Sequence, residues 1–138
     1  MPDKFMKLLA ISFGILIIII VILADTRHLG FLYPVYDFPF GDKVGHFIIF
    51  GLLSLLVNLS VLGTGAPSDS STPASAETKR TVIKTSLILA LIVGLEEFSQ
   101  RWFPSRTSDW FDLFASYLGI ASFAYLAIAI KTKRSLLK

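Results

Sequence analysis

The sequence contains no cysteine and little charge, and each shortage narrows what the protein can be. Without cysteine there is no disulfide framework, no thiolate metal site and no cysteine nucleophile. Charged residues make up only 17% of the 138 residues against 54% hydrophobic ones, and the mean hydropathy is +0.69. A soluble domain of this size needs a more polar surface. The composition therefore indicates that lipid surrounds much of the chain.

Several short catalytic and binding motifs are also missing. The sequence has no G-x-x-x-x-G-K-[ST] phosphate-binding loop, no HExxH zinc motif and no G-x-S-x-G nucleophile elbow. A net charge of +3 would suggest nucleic-acid binding in a soluble protein, but here lysine and arginine flank apolar runs. We therefore predict no metal site and no nucleic-acid partner, and the sequence leaves any cofactor unknown.

Four long apolar runs account for most of the chain. The first has seventeen uncharged residues, which span about 26 Å as a helix, close to the thickness of a bilayer core. Its basic start also suits a cleaved signal peptide, but no A-x-A site follows, and three further runs favour a retained anchor. We predict one all-α domain over 1–138, an integral membrane bundle of four transmembrane helices at 8–24, 44–62, 82–98 and 110–130.

Residues 63–81 interrupt this pattern, because they are rich in serine, threonine, alanine, proline and glycine. Such a segment buries too little apolar surface to offset the entropy of ordering it, so we predict a flexible loop. With four spans, nine lysines and arginines lie on the side of this loop and the termini, and four lie on the other side. The positive-inside rule then places both termini in the cytoplasm.

Polar residues gather at the outer ends of the second, third and fourth runs. Asp42 and His46 lie at the start of the second run, four residues apart on one helix face, and Glu97 and Gln100 lie at the end of the third. Charge at the mouth of apolar helices is costly and usually has a specific partner or function. We predict a ligand-binding cluster at the outer membrane face, formed by Asp42, His46, Glu97, Gln100, Arg106, Asp109 and Asp112.

A structural explanation of these residues stays open. Asp42 and Asp109 both suit N-cap positions, and Arg106 can pair with a nearby acid to hold the turn. Glu96 lies about 100° from Glu97 around a helix and is predicted to face head groups or water. A polar network that only fastens the helices together would give the same sequence pattern.

The chemistry of the cluster also stays open. His46 and Glu97 are candidates for proton transfer, and Arg106 with His46 could hold a phosphate. Carboxylates and imidazole could bind a divalent cation, although their spacing matches no established metal motif. The residues are thus compatible with ligand binding and with an enzyme acting on a lipid-linked phosphate or sugar.

Two motifs resemble those of the VanZ-like family of small bacterial membrane proteins. The segment Asp42-Lys43-x-x-His46-Phe47 is similar to the family's D-K-x-x-H-F. The second motif is Glu97-x-x-Gln100, then Pro104-x-Arg106-x-x-Asp109-x-x-Asp112 and Gly119. It is similar to E-x-x-Q…P-x-R-x-x-D-x-x-D-x-x-x-N-x-x-G. Ser116 departs from the family's usual asparagine, which puts any contact that needs an amide in doubt.

The resemblance covers the second to fourth runs and implies a four-helix protein of the bacterial cytoplasmic membrane. The family takes its name from a teicoplanin-resistance determinant, which links it to the cell envelope. It therefore implies a membrane lipid, a lipid-linked envelope precursor or a glycopeptide as partner. The resemblance assigns no reaction, and neither it nor the sequence fixes the oligomeric state.

Overall fold

The computed structural model describes residues 2–25, 30, 34, 38–63, 74–103 and 108–136, and all of its regular elements are helical. The all-α prediction is therefore confirmed, and the part of the chain that is described contains no strand. The helices are α1 (Pro2–Asp25), α2 (Gly41–Gly63), α3 (Ala74–Ser99) and α4 (Trp110–Leu136), with a short 3₁₀ turn at Gln100–Trp102.

Helix α3 begins earlier than the sequence predicted. The loop was predicted to reach residue 81, but helix begins at Ala74. Alanine, glutamate, lysine and arginine are good helix formers, and they dominate the segment ASAETKR at the start of α3. The prediction extended the Ser/Thr/Pro composition of residues 64–73 too far. Residues 64–73 themselves lie outside the described residues.

Helices α2 and α4 lie side by side, run in the same direction and make the most extensive helix–helix contact. Bonds join their beginnings, their middles and their ends: Lys43 with Asp112, Ser54 with Ile120, and Leu62 with Lys131. The backbones approach so closely that a Cβ added at Gly119 would collide with the Phe47 carbonyl group. Glycine at such a position allows the tight packing typical of helices in lipid.

Helix α3 runs antiparallel to α2 and α4. Its first half reaches the far part of α2 through Ser86 and Asn58, and its last turn reaches the start of α4 through Glu97 and Asp109. The apolar core lies between the helices and consists of Ile17, Phe50, Leu89, Val93 and Ile120. The middle and the last turn of α3 are thus tied into the bundle by polar contacts, with apolar packing at Leu89 and Val93 between them.

Three of the four helices are long and apolar enough to cross a membrane: Lys4–Leu23, Gly41–Gly63 and Trp110–Lys133. Helix α3 is not among them. Lys84 and Glu96 confine its uncharged part to Thr85–Leu95, eleven residues that span about 17 Å, little more than half of a bilayer core. The predicted membrane character is therefore supported for three spans, and the fourth span stays a prediction.

Candidate functional site

The centre of the polar cluster is Lys43, in the first turn of α2. Its ammonium group donates to Asp42 at 2.8 Å, to Asp109 at 3.0 Å and to Asp112 at 3.1 Å. Asp42 is a neighbour in sequence, but the two other carboxylates belong to the start of α4. The side chains of Lys43 and Asp112 keep only 23% and 14% of their exposure. Lys43 therefore joins α2 to α4 through partly buried ion pairs.

Asp109 caps helix α4. Its side chain accepts the backbone N–H of Phe111 at 2.9 Å, and its carbonyl oxygen accepts the N–H groups of Asp112 and Leu113. This is the N-cap role that the sequence suggested for it. The Phe111 N–H and then the Lys43 ammonium hold the pKa of the Asp109 carboxyl below its ordinary value. Asp109 is therefore negatively charged at neutral pH.

Glu97 connects the end of α3 to this cap. Its carboxylate is only 4% exposed, and one oxygen accepts the backbone N–H of Asp109 at 2.9 Å. The other oxygen accepts the side-chain amide of Gln100 at 3.0 Å. The Gln100 amide also donates to Glu96 at 3.0 and 3.1 Å. Glu96 thus contacts the cluster, because Gln100 lies one turn after it and reaches both acids. The sequence had instead predicted that Glu96 faces head groups or water.

His46 faces α4 one turn below Lys43. Its Nδ1 lies 3.1 Å from the hydroxyl oxygen of Ser116, and that hydroxyl donates to the carbonyl oxygen of Asp112 at 2.9 Å. Because the single hydroxyl proton is directed at Asp112, the Nδ1 of His46 is the donor to Ser116. Ser116 is fully buried, so its hydroxyl depends on these protein partners.

The structure brings six of the seven predicted site residues to one end of the bundle, and Arg106 lies outside the described residues. Asp42 is not the N-cap of α2, because the helix begins at Gly41 and Val44 donates to the carbonyl of Phe40. Lys43 was missed as a site residue. The sequence feature that could have identified Lys43 is its position at the start of an apolar helix, because a charge placed there needs acidic partners. We call the following set the charged end: Asp42, Lys43, His46, Glu97, Gln100, Asp109 and Asp112.

Three carboxylates of the charged end could act together on a cation. Asp42, Asp109 and Asp112 each offer one oxygen, and these oxygens lie within 4.8 Å of one another. The spacing in sequence did not reveal this group, because two helices contribute to it. In the structure the Lys43 ammonium is bonded to all three carboxylates. Counted over the part of the chain that the structure describes, three acids around one ammonium leave an excess of negative charge at this point.

A second polar group lies deeper in the bundle and carries no charge. We call Ser54, Asn58 and Ser86 the neutral cluster. The amide nitrogen of Asn58 donates to the carbonyl oxygen of Ser54 at 2.8 Å, to the Ser54 hydroxyl at 3.2 Å and to the Ser86 hydroxyl at 3.1 Å. Ser54 in turn donates to the carbonyl of Ile120 at 3.0 Å. These bonds join α2 to both α3 and α4.

Fold and site together define an all-helical protein with three membrane-compatible helices and a charged end built by α2, α3 and α4. Uncharacterized protein C11E3.10 of the fission yeast Schizosaccharomyces pombe is 34% identical over 130 residues, which is 94% of this chain and 71% of the relative. The chain belongs to the same family as this yeast protein. No family model and no solved structure matches the chain. A relative from yeast gives no support to a bacterial origin.

Proposed function

We propose that this chain is a four-span membrane protein whose charged end binds the polar head group of a membrane lipid or of a lipid-linked precursor. The observation that carries the proposal is the meeting of three helices at one point. Side chains of α2, α3 and α4 converge there, and their acids outnumber the Lys43 ammonium. A head group that carries an ammonium, as aminophospholipids do, matches this excess charge.

The parallel arrangement of α2 and α4 supports the fourth span. If both helices cross the membrane in the same direction, the chain between them must return across the same thickness. Helix α3 has 26 residues, which gives about 39 Å and is long enough for this return. Its acids at the charged end are bonded to Gln100 and to the α4 cap. The proposed topology keeps both termini on the cytoplasmic side.

The VanZ-like resemblance fits the same arrangement. Of the matching positions, Lys43 and Asp112 are bonded to each other, and Phe47 and Gly119 are in backbone contact. The proposal places the protein in a membrane without restricting it to bacteria, since a relative of this chain comes from fission yeast. Glycopeptide binding is the narrower form of the proposal that the resemblance adds.

A purely structural network is the second candidate, and specific contacts favour it. Both oxygens of Glu97 accept protein N–H groups, and the carboxylate is almost fully buried. This leaves Glu97 poorly placed for proton transfer to a substrate. Lys43 likewise joins two helices. A lipid-directed enzyme that uses Glu97 is accordingly less well supported than binding or fastening.

Lipid binding by wild type and Asp112→Asn distinguishes the two candidates. The purified chain in a neutral detergent would be titrated with short-chain phosphatidylethanolamine, with its N-acetylated form and with a glycopeptide, followed by native mass spectrometry. Binding predicts preference for the free amine, and a weaker preference in Asp112→Asn at unchanged thermal stability. Glu77→Gln, an acid in the first turn of α3 at the other end, is the matched control. Equal binding of both lipids, with lower stability of Asp112→Asn, would leave fastening as the function.

A further inference from the structure

Four residues beside the charged end form a surface of different character, which we call the arginine–aromatic patch: Phe98, Arg101, Trp102 and Trp110. The guanidinium carbon of Arg101 lies 4.8 Å from the centre of the Phe98 ring and 5.5 Å from that of Trp110. Phe98 and Trp102 meet edge to face at 5.2 Å. Aromatic rings thus approach the Arg101 cation from both α3 and α4.

The turn that carries Arg101 is held firmly. Arg101 lies in the 3₁₀ turn after α3, between Gln100 and Trp102. Gln100 is only 3% exposed, and its side-chain amide is bonded to both Glu96 and Glu97. The carbonyl of Gln100 also accepts the N–H of Phe103 at 3.1 Å. A fixed turn and ring contacts together lower the entropy that Arg101 would lose on binding an anion.

Arg101 still has donors to offer. Among the described residues, no acid forms an ion pair with Arg101, whereas Lys43 binds three carboxylates. Its side chain is exposed, and the ring contacts use only the face of the guanidinium. The N–H groups at the edge of that plane suit the oxygens of a phosphate, which arginine can bind in a bidentate manner.

The position of the patch indicates whether the phosphate belongs to a lipid or is a free ion. Trp110 is the first residue of the membrane-compatible part of α4, so it lies where a span meets water. Trp102 and Trp110 are 69% and 70% exposed, and Phe111 beside them is 70% exposed. Tryptophan at this depth is typical of the head-group level of a bilayer. Exposed rings around a cation match the acyl chains and the phosphate of one lipid, whereas a free phosphate would leave the rings in water.

We propose that Arg101 binds the phosphate group of a phospholipid whose upper acyl chains pack on Trp102 and Trp110. This inference rests on the proposed function and deepens it, because it adds a phosphate-binding residue beside the excess carboxylates. Together the two surfaces complement a zwitterionic head group, with its phosphate on Arg101 and its ammonium near the acids of the charged end.

Tryptophan fluorescence measures this site directly, because the chain has only two tryptophans and both belong to the patch. The full chain in maltoside detergent would be titrated with dioctanoyl phosphatidic acid, with dioctanoylglycerol, which lacks the phosphate, and with inorganic phosphate. We expect a saturable change with phosphatidic acid, a much weaker one with dioctanoylglycerol and none with inorganic phosphate. Equal responses to the two lipids, or a full response to inorganic phosphate, would overturn the proposal.

Three variants make the test specific to Arg101. Arg101→Gln should weaken the binding of phosphatidic acid about tenfold, the loss of one charge-assisted hydrogen bond. Arg101→Lys keeps the charge without the planar fork and should fall between Arg101→Gln and wild type. Arg80→Gln is the matched control, an exposed arginine at the other end of α3, and should bind as wild type does. Unchanged affinity in Arg101→Gln would overturn the assignment.

Further measurements distinguish a failure of the Arg101 phosphate site from a failure of the proposed function. Loss of the preference for phosphatidylethanolamine in Asp112→Asn, with unchanged affinity in Arg101→Gln, would leave the proposed function standing and remove the phosphate site. No response of wild type to either phospholipid would remove both. A fluorescence change that depends on protein concentration and not on lipid would show that a second copy covers the patch, which overturns the proposal.

Discussion

The charged end and the neutral cluster solve the same problem, polar groups among apolar helices, in opposite ways. The charged end uses ionised side chains such as Lys43, which keeps 23% of its exposure. The neutral cluster uses hydroxyl and amide groups, and Ser54 and Asn58 are fully buried. Ionised groups are tolerated only near water, because the free energy needed to bury a charge rises steeply with depth in lipid. Depth therefore selects the kind of polar contact.

The two regions also differ in how fully they are satisfied. In the charged end, Glu97 has a protein donor for each oxygen although it is almost fully buried. In the neutral cluster, the carbonyl oxygen of the Asn58 side chain has no partner among the described residues, while its amide nitrogen makes several bonds. A buried neutral oxygen without a donor costs far less than an unpaired charge would. The bundle tolerates an incomplete contact only where it is neutral.

The largest expected effect comes from separating α2 from α4, because both regions depend on that contact. In Gly119→Leu, the first side-chain carbon alone meets the Phe47 carbonyl. Overpacking usually costs about 1–3 kcal/mol, and we expect Gly119→Leu to lower the free energy of unfolding by at least the upper end of that range. Thermal and denaturant unfolding in detergent would measure the loss. Gly45→Leu in α2 is the control, since nothing lies within 4 Å of a Cβ there. Equal stability of the two variants would contradict the close packing of α2 and α4.

The next largest loss of stability is expected when a charged side chain is placed in the neutral cluster. Asn58→Asp places a carboxylate in the neutral cluster, where its described partners are hydroxyls and none is a cation. We expect a loss of about 2.5–3.5 kcal/mol, as for aspartate within a transmembrane helix. Asn58→Leu keeps the branched shape of the side chain in a somewhat larger, uncharged form and should lose less, about 1 kcal/mol, since hydrogen bonds in lipid average ~0.6 kcal/mol. The comparison fails if both variants unfold at the same denaturant concentration.

Removing Glu97 tests whether the charged end fastens α3. Glu97→Ala leaves the Asp109 N–H and one donor of Gln100 without an acceptor, and should cost about 1.5–3 kcal/mol. Glu96→Ala, one residue earlier, removes the neighbouring carboxylate and its contacts to the Gln100 side chain while the Asp109 N–H keeps Glu97 as its acceptor, and it serves as the control. Unfolding followed by circular dichroism should show the larger loss for Glu97→Ala. The reverse order would contradict the role of Glu97 as the link between α3 and the α4 cap.

The smallest effect is the acid sensitivity of the Asp109 cap. Phe111 and Lys43 lower the pKa of the Asp109 carboxyl below its ordinary 3.8 in the folded chain. The stability that this provides is complete above about pH 4 and is lost as the pH falls through the lower, folded pKa. Asp109→Asn should lack this part of the acid transition, as measured by melting temperature against pH. High salt should shrink the difference by screening Lys43, and an identical acid limb in both proteins would contradict it.

The sequence predicted the location of the polar groups better than their partners. The spacing of Asp42 and His46, and of Asp109 and Asp112, placed each pair on one helix face, and the topology placed both pairs at one end. The central position of Lys43 could not be predicted, because a flexible side chain chooses its partners only after α2 and α4 pack. The same applies to Gln100, whose reach to Glu96 depends on the turn that follows α3. The helical propensity of ASAETKR was visible in the sequence, but the loop prediction gave more weight to the Ser/Thr/Pro composition of the whole segment.

The short apolar stretch of α3 has a consequence for how the chain enters a membrane during synthesis. A helix with so few uncharged residues partitions poorly from an insertion machinery into lipid by itself. Glu97 gains its N–H donor from Asp109 only once the start of α4 has been made. In the proposed four-span topology, helices α3 and α4 would therefore enter together as a hairpin, with α2 already in place as the surface on which they assemble. A chain shortened before residue 109 should leave α3 outside the bilayer.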